Sequence, residues 1–415
     1  MAYQNVGTPR FYIDYLSYWK SIGLIYKTTG YEGEGTSIEG DFVGLDPVLP
    51  CNVSIDTTSV NGTLLYVDLN WGETIGRRLQ ESMNYVAVLG HNINKPMYAP
   101  EDWFFEELGE GIVLGGGSDA GAMRVDFTKR ESVDALAHQH DWRGAFVQRN
   151  NPSIINAEFL GTGGLGVDFP AEFNQFPNSG VSIYEGEIAS VEDEFIGDAD
   201  RISFPLRWLD PETGNWKPSI LGDIFINSIS LGHYYDMPIS PDLNLSINIE
   251  FDGYDSIETL GGSTLTRTRY KGSPKWGELN PWEVGESQGN ISRNGRRVWT
   301  LKFSLISDND IFASNYMSNP YLNYNSTNTD YDTNSDLTPN SEGSDDFQYT
   351  IEDDDSFSAK VLNFIGNGER FIFQPNNTAS NPSDFAICIL DQKSLKIPQK
   401  AFKAYDISMK IKEVW

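Results

Sequence analysis

Gly161-Thr-Gly-Gly-Leu-Gly166 has the spacing of a dinucleotide-binding fingerprint, and a strand-like segment precedes it. That fingerprint works only where a helix starts at the glycines, because the helix amino end holds the pyrophosphate. Asp168, Phe169 and Pro170 follow instead, with no helical period, so the segment reads as a plain loop. Gly115-Gly116-Gly117-Ser118 lacks the lysine of a phosphate-binding loop. The histidines are His91, His138, His140 and His233. If 134–142 were extended, His138 and His140 would share a face with Asp134. A zinc ion needs a further ligand and a group that orients the imidazoles; Asp134, His91 or His233 would serve only if the fold gathers them. Asp330, Asp332, Asn334 and Asp336 have the alternate spacing of a calcium loop, but Ser335 stands where that loop needs glycine and Ser341 where it needs a bidentate glutamate.

With 59 acidic residues, no carboxylate pair stands out as a glycosidase dyad, and neither a GxSxG elbow nor an HExxH motif occurs. The chain is therefore not read as an enzyme, and no catalytic residue, cofactor or metal ligand is nominated. Trp103, Trp142, Trp216, Trp276 and Trp282 are the aromatics that would stack on sugar rings or, as the plainer alternative, pack in a core or an interface.

These residues need a scaffold, and period-two alternation dominates the chain. Leu243, Leu245, Ile247, Ile249 and Phe251 fall on one strand face. Trp299, Leu301, Phe303 and Leu305 form a second such face, and Tyr405, Ile407, Met409 and Ile411 a third. Ile202, Phe204, Leu206 and Trp208 share a face opposite Pro205, which would place that strand at a sheet edge. Such patterns are half-buried antiparallel strands. Further strands are expected at 63–69, 84–89, 154–160, 181–188 and 223–231, with turns such as Asn61-Gly62 and Asn294-Gly295 between them. One helix is well signalled: Asp353, Asp354 and Asp355 precede Phe357, Val361, Leu362, Phe364 and Ile365, and Gly366 and Gly368 follow. A shorter helix is expected near Tyr12–Ile22.

The fold expected is all-β: a jelly-roll-like β-sandwich plus a second β-barrel or sandwich domain with one flanking α-helix. The 415 residues correspond to two or three domains at roughly 150 residues each. An amino-terminal segment, 1–44, packs on the carboxyl-terminal domain; 45–236 is the jelly-roll-like sandwich; and 237–415 is the second domain. The main boundary falls at the composition change marked by Asp236, Pro238, Pro241 and Asp242. The Asn/Ser/Thr/Asp-rich stretch 313–346 reads as a loop insertion.

Net charge excludes several partners. Thirty basic against 59 acidic residues give −29, which argues against sequence-independent nucleic-acid binding and against an anionic membrane surface. The apolar run Phe385 to Leu390 is far too short to span a bilayer. Pro9 and Asp14 interrupt what would be the core of a signal peptide, so the chain is expected to be made in a cytoplasm. Cys51 and Cys388 have no metal-type or disulfide-framework spacing and read as small buried apolar residues. The 10 Trp, 20 Tyr and 23 Phe suffice for sizeable cores.

The carboxyl-terminal order is Arg296-Arg297-Val-Trp299-Thr-Leu301-Lys-Phe303, then the helix 354–365, then Phe371-Ile-Phe373-Gln-Pro375. Phe385-Ala-Ile-Cys-Ile-Leu-Asp391 follows, and a last strand runs into Glu413-Val414-Trp415. This order resembles tail proteins of tailed bacteriophages, of the minor-tail and distal-tail kind. The resemblance covers roughly 290–415, with 313–346 as an insertion. It implies a structural virion protein that assembles with itself, as a hexameric ring or collar in the tail or tail tip, and with other tail or connector proteins. Arg296, Arg297, Trp299, Trp276, Trp282 and Trp415 are the interface residues expected from it. In the middle, Tyr85-Val-Ala-Val-Leu-Gly90-His91-Asn92 and Ile226-Asn-Ser-Ile-Ser-Leu-Gly232-His233-Tyr resemble strands of a galactose-binding-like (discoidin-like) jelly roll. That resemblance implies that Gly90 makes a tight turn and that His91, Asn92 and His233 cap or bridge loops. It leaves two alternatives: a module that binds host-surface glycan, and a glycan-degrading tail enzyme.

Overall fold

A computed structural model describes residues 7–28, 36–45, 51–55, 63–69, 83–89, 122–128, 142–148, 181–190, 201–209, 216–218, 222–243, 246–250, 254–268, 296–312, 355–366, 368–379 and 385–414. Of the described residues 54 % are in strands, so sheets set the architecture: the fold is all-β, and among these residues there are few helices and no closed barrel. The chain begins with β1 (Arg10–Asp14), α1 (Tyr15–Ser21), β2 (Ile25–Thr28), β3 (Thr36–Glu39), β4 (Cys51–Ile55), β5 (Thr63–Leu69) and β6 (Tyr85–Leu89). Next are β7 (Ala122–Thr128), β8 (Trp142–Gln148), β9 (Val181–Ser190), β10 (Arg201–Leu209), β11 (Trp216–Pro218), β12 (Gly222–Ile226) and β13 (Ser228–Asp236). Then come β14 (Ser246–Glu250), β15 (Tyr254–Glu258), β16 (Thr264–Thr268), β17 (Arg296–Ser307) and the short α2 (Asp308–Ile311). A π-helical turn (Ser358–Leu362) runs into α3 (Asn363–Ile365), followed by β18 (Phe371–Gln374), β19 (Ala386–Leu390), β20 (Gln399–Ala401) and β21 (Ala404–Glu413).

One long sheet follows the order β14-β17-β21-β19-β18-β1-β13-β6-β9-β8-β7-β10-β5-β2, with β11 beside β10 and β20 beside β21. A small sheet, β12-β4-β3, and the hairpin β15-β16 lie off it. Strand β1 occupies the middle. Its five residues pair with Asp236 to Gly232 on one side, and Arg10 to Tyr12 pair with Gln374 to Ile372 on the other. The sheet is therefore continuous through the 236/237 junction, and the amino-terminal segment is what joins the two halves. Alternation along β1 serves two cores. Phe11 and Ile13 belong to a large cluster with Leu65, Val86, Leu231, Trp299 and Phe373, whereas Tyr12 belongs to a smaller one with Tyr85, Ile183, Ile372 and Phe385. A strand buried on both faces has no wet side, which is why its sequence is apolar or aromatic except at its ends.

The signalled carboxyl-terminal helix forms over 357–365, and Phe357, Val361, Phe364 and Ile365 are buried as the spacing predicts. Most of it is the wider π form. Gly366 keeps a helical φ of −60°, and the left-handed turn falls at Gly368, φ 89°. Three expectations need correction. The helix near Tyr12–Ile22 is shorter, because Tyr12 to Asp14 complete β1 and Asp14 caps α1 by accepting from the amides of Leu16 and Ser17. Pro205 is not on an edge strand: β10 pairs with β5 from Arg201 to Leu206, and on its other side pairing with β7 ends at Ser203 and pairing with β11 begins at Arg207, leaving Pro205 in the gap. Its missing N–H is thus accommodated inside the sheet. The apolar face of 243–251 is not buried as a whole, as described below. Cys51 and Cys388 are free thiols buried in the main core, and burial pushes both thiol pKa values up. The strand expected at 154–160, the turns at Asn61-Gly62 and Asn294-Gly295, and the insertion 313–346 lie outside the described residues.

Gly232 of β13 lies opposite Asp14, where β1 turns into α1. A Cβ there would sit 2.0 Å from the Ile13 carbonyl oxygen and 3.2 Å from the Tyr15 amide nitrogen. Both are backbone atoms held by the ladder and by α1, so they cannot step aside. Gly232→Ala is expected to destabilise the chain by about 3 kcal/mol or more, read as a fall in the urea midpoint. An unchanged midpoint would show that β1 is not held at this spacing.

Candidate assembly surface

Arg297 is held inside its own chain. Its Nε and Nη2 form a fork on the two carboxylate oxygens of Glu413, at 3.0 and 3.1 Å, and Nη2 also donates to the Phe385 carbonyl at 2.9 Å. The guanidinium lies 5.0 Å from the Trp299 ring centre. Glu413 is only 1 % exposed, so this pair ties β17 to β21 and β19 rather than reaching outward. Trp299 is a core residue, edge-on to Phe373 at 5.3 Å, and offers no surface to a partner. The physical reason is its position: β17 is paired on both sides, by β14 and β21. Arg296 is half-buried at the start of β17, opposite Glu250, and Glu250 in turn pairs with Lys412. Trp276, Trp282, Trp415, His91 and Asn92 lie outside the described residues, as do His138, His140, Asp134, Trp103, Gly115 to Ser118, Gly161 to Gly166 and Asp330 to Ser341. Trp142 and Trp216 begin β8 and β11.

His233 bridges a strand to two helical segments. Its Nε2 is 2.7 Å from the Lys360 carbonyl in the π turn, and its Nδ1 is 2.6 Å from the Tyr15 hydroxyl in α1. A carbonyl can only accept, so Nε2 carries the hydrogen and Nδ1 accepts from Tyr15. Burial, reinforced by the nearby Lys360 charge, lowers its pKa to about 3. The neighbouring Asp14 has the opposite shift, up to about 6, because it is buried; bonds from Ser17, Ser230 and Leu231 only partly offset that.

Sequence reasoning missed the polar cluster across the middle of the sheet. Arg10 forks onto Asp236 with two bonds of 2.7 Å, and its Nη1 donates to Glu185 on β9 at 2.5 Å. Tyr12 donates to the same Glu185 oxygen at 2.7 Å, and the guanidinium stacks 4.0 Å from the Tyr234 ring centre. Burial pulls the Arg10 pKa down, but Asp236, Tyr12 and Glu185 outweigh it and the net shift is upward. The sequence signal was slight: one arginine opening an otherwise apolar and aromatic strand, with its acids 175 and 226 residues away.

What remains open is the outside of the carboxyl-terminal half. At the end of the long sheet, β14 pairs only with β17 among the described residues. Ile247 packs on the main core, but Ile249 is 56 % exposed and Leu243 is fully exposed. The hairpin that follows carries more apolar surface outward. Ile257 and Leu265 face each other across β15 and β16 at 65 % and 61 % exposure, and Leu260 at the tip is fully exposed. Its turn is fixed by Thr259, whose amide donates to the Ser263 carbonyl at 2.9 Å and whose Oγ1 accepts from the Ser263 amide at 3.1 Å. Gly262, at φ 79°, supplies the left-handed residue. A lone two-stranded hairpin is marginal in water, and this one shows an apolar side without a layer to cover it. No group of three or more metal-type ligands, and no helix long and apolar enough to cross a membrane, occurs among the described residues.

Comparison with known protein families, with curated proteins and with solved structures gives no match to this chain. The described residues form an all-β protein in which β14, at the end of the long sheet, has one strand neighbour.

His233 gives this region a measurable pH signature. A histidine whose folded pKa is depressed stabilises the fold fully above its ordinary value of 6.5, and that stability is lost as the pH falls toward about 3. Comparing the wild-type chain with His233→Gln cancels the other titrations. The stability advantage of the wild type is expected to shrink by about 2 kcal/mol between pH 7 and pH 5 in urea unfolding. A gap that stays constant would mean the imidazole is protonated in place.

Proposed function

We propose that this chain is a structural virion protein of a tailed phage, assembling with copies of itself as a symmetric ring or collar in the tail or tail tip. The observation that carries the reading is the set of exposed apolar side chains Leu243, Ile249, Ile257, Leu260 and Leu265, beside and on β14 and on the β15-β16 hairpin. Burying one leucine or isoleucine side chain is worth about 1.5–3 kcal/mol, so several of them favour a partner over water. Among the described residues β14 has one strand neighbour, so its other edge suits pairing with a further strand. The order of strand, helix and three strands from Arg296 to Glu413, which resembles minor-tail and distal-tail proteins, supports the same reading. In it the jelly-roll-like half is scaffold, the other tail or connector proteins are neighbours, and a repeated contact closes the ring.

The test is the mass of the purified full chain by analytical ultracentrifugation over a range of concentrations. A discrete ring of several subunits is expected, with Ile257→Asp/Leu265→Asp dissociating it while the unfolding free energy of the subunit changes by no more than about 0.5 kcal/mol. A monomer at every concentration, or turnover of a glycan substrate, would overturn the proposal.

A further inference from the structure

Between Asp391 and Asp406 the chain departs from its own composition. Residues 392–405 hold four lysines, Lys393, Lys396, Lys400 and Lys403, and no carboxylate, in a protein with nearly two acidic residues for each basic one. All four lysines are exposed. The strip is held firmly. Leu395 and Ile397 pack inward on the main core, β20 pairs with β21, and the Asp406 amide donates to the Pro398 carbonyl at 3.0 Å. At the turn between these strands Phe402 points into solvent, 88 % exposed. A second apolar side chain stands at the same end of β21. Leu305 occupies the bulge of β17 opposite Tyr405 to Ile407, at φ 60° and 64 % exposed, with its amide held by Asp406 at 3.2 Å. A leucine in the left-handed region costs about 1–2 kcal/mol, and here it displays an apolar side chain to solvent.

We infer that the lysine strip around Phe402 and Leu305 is the surface by which one copy of this chain docks on the acidic surface of the next. The inference rests on the self-assembly reading above and names its second contact. Two bodies of charge −29 repel each other, so their association needs a place where the local sign is reversed. This strip supplies it, and the rest of an identical copy supplies the complementary charge. A closed ring built from head-to-tail contacts requires two different patches, and the β15-β16 hairpin with Ile257 and Leu265 is a separate element from the β20-β21 strip.

The experiment compares the full wild-type chain with Lys393→Glu/Lys396→Glu and, separately, Phe402→Ser. All of these side chains are exposed, and Lys400, which reaches Asp406 at 3.8 Å, is left in place. Self-association is measured by ultracentrifugation at low and at high sodium chloride, with unfolding temperature as the folding control and phosphatidylglycerol vesicles as a second arm. The expected result is a wild-type assembly that weakens with salt, and variants that fold normally but associate roughly tenfold or more weakly. A wild-type ring that both variants form equally well overturns this inference and leaves the self-assembly reading standing. Vesicle binding that the variants lose, with their self-association unchanged, overturns it in favour of a lipid partner. A wild-type monomer throughout removes both.

Discussion

The five residues of β1 are the constraint from which the rest follows. A strand taken from the start of the chain must lie between β13 and β18, strands separated by more than a hundred residues of sequence, and it is buried on both faces and both edges. Such a position demands an apolar strand, and Phe11 and Ile13 fill the large core while Tyr12 fills the small one. It also demands that the one charged side chain at its start be fully matched. Arg10 meets this with the fork on Asp236, the bond to Glu185 and the ring of Tyr234. Leaving any of these groups buried and alone would cost several kcal/mol. The cluster thus specifies which strands are neighbours more than it adds net stability.

The same economy governs the next layer. Asp14 ends β1 and caps α1, so a single carboxylate turns the chain from strand to helix and also accepts from the Leu231 amide of the neighbouring strand. One residue earlier in the register, His233 pins Tyr15 of α1 and the Lys360 carbonyl of the π turn to the sheet. Aromatic side chains fill the space between, with Tyr15 5.1 Å and Tyr18 4.8 Å from the ring of Phe364. The two helical segments are therefore fastened to the middle of the sheet by buried polar bonds on one side and ring packing on the other.

The outer surface follows a different rule. Inside, the charged groups of the Arg10 and Arg297 clusters are matched; on β14, the β15-β16 hairpin and the β17 bulge, apolar groups are displayed. The display is built on firm backbone: a turn closed by Thr259 and Ser263, and a bulge whose Leu305 amide is held by Asp406. Exposed apolar side chains on fixed supports suit docking, because little ordering entropy remains to be lost when a partner arrives.

Strand patterning in the sequence determined that this is an antiparallel β protein, and it located β5, β6, β9, β10, β17 and β21 to within a few residues, because hydrophobic alternation is a local consequence of strand geometry. The helix after Asp355 and the buried cysteines were legible for the same reason: burial of one stripe or one small side chain is written in neighbouring residues. Which faces are covered was not legible. The alternation at 243–251 looks like that at 299–305, yet Trp299 is in the core and Ile249 is in solvent, because β17 is flanked on both sides and β14 lies at the end of the sheet. Arg297 could be read as an outward cation until its strand placed Glu413 beside it. Pairing between strands joins residues hundreds of positions apart through backbone bonds that carry no side-chain signature. Only the tertiary structure could therefore decide that Arg10 meets Asp236, that Gly232 must have no Cβ, and that Ile249, Leu305 and Phe402 stay exposed.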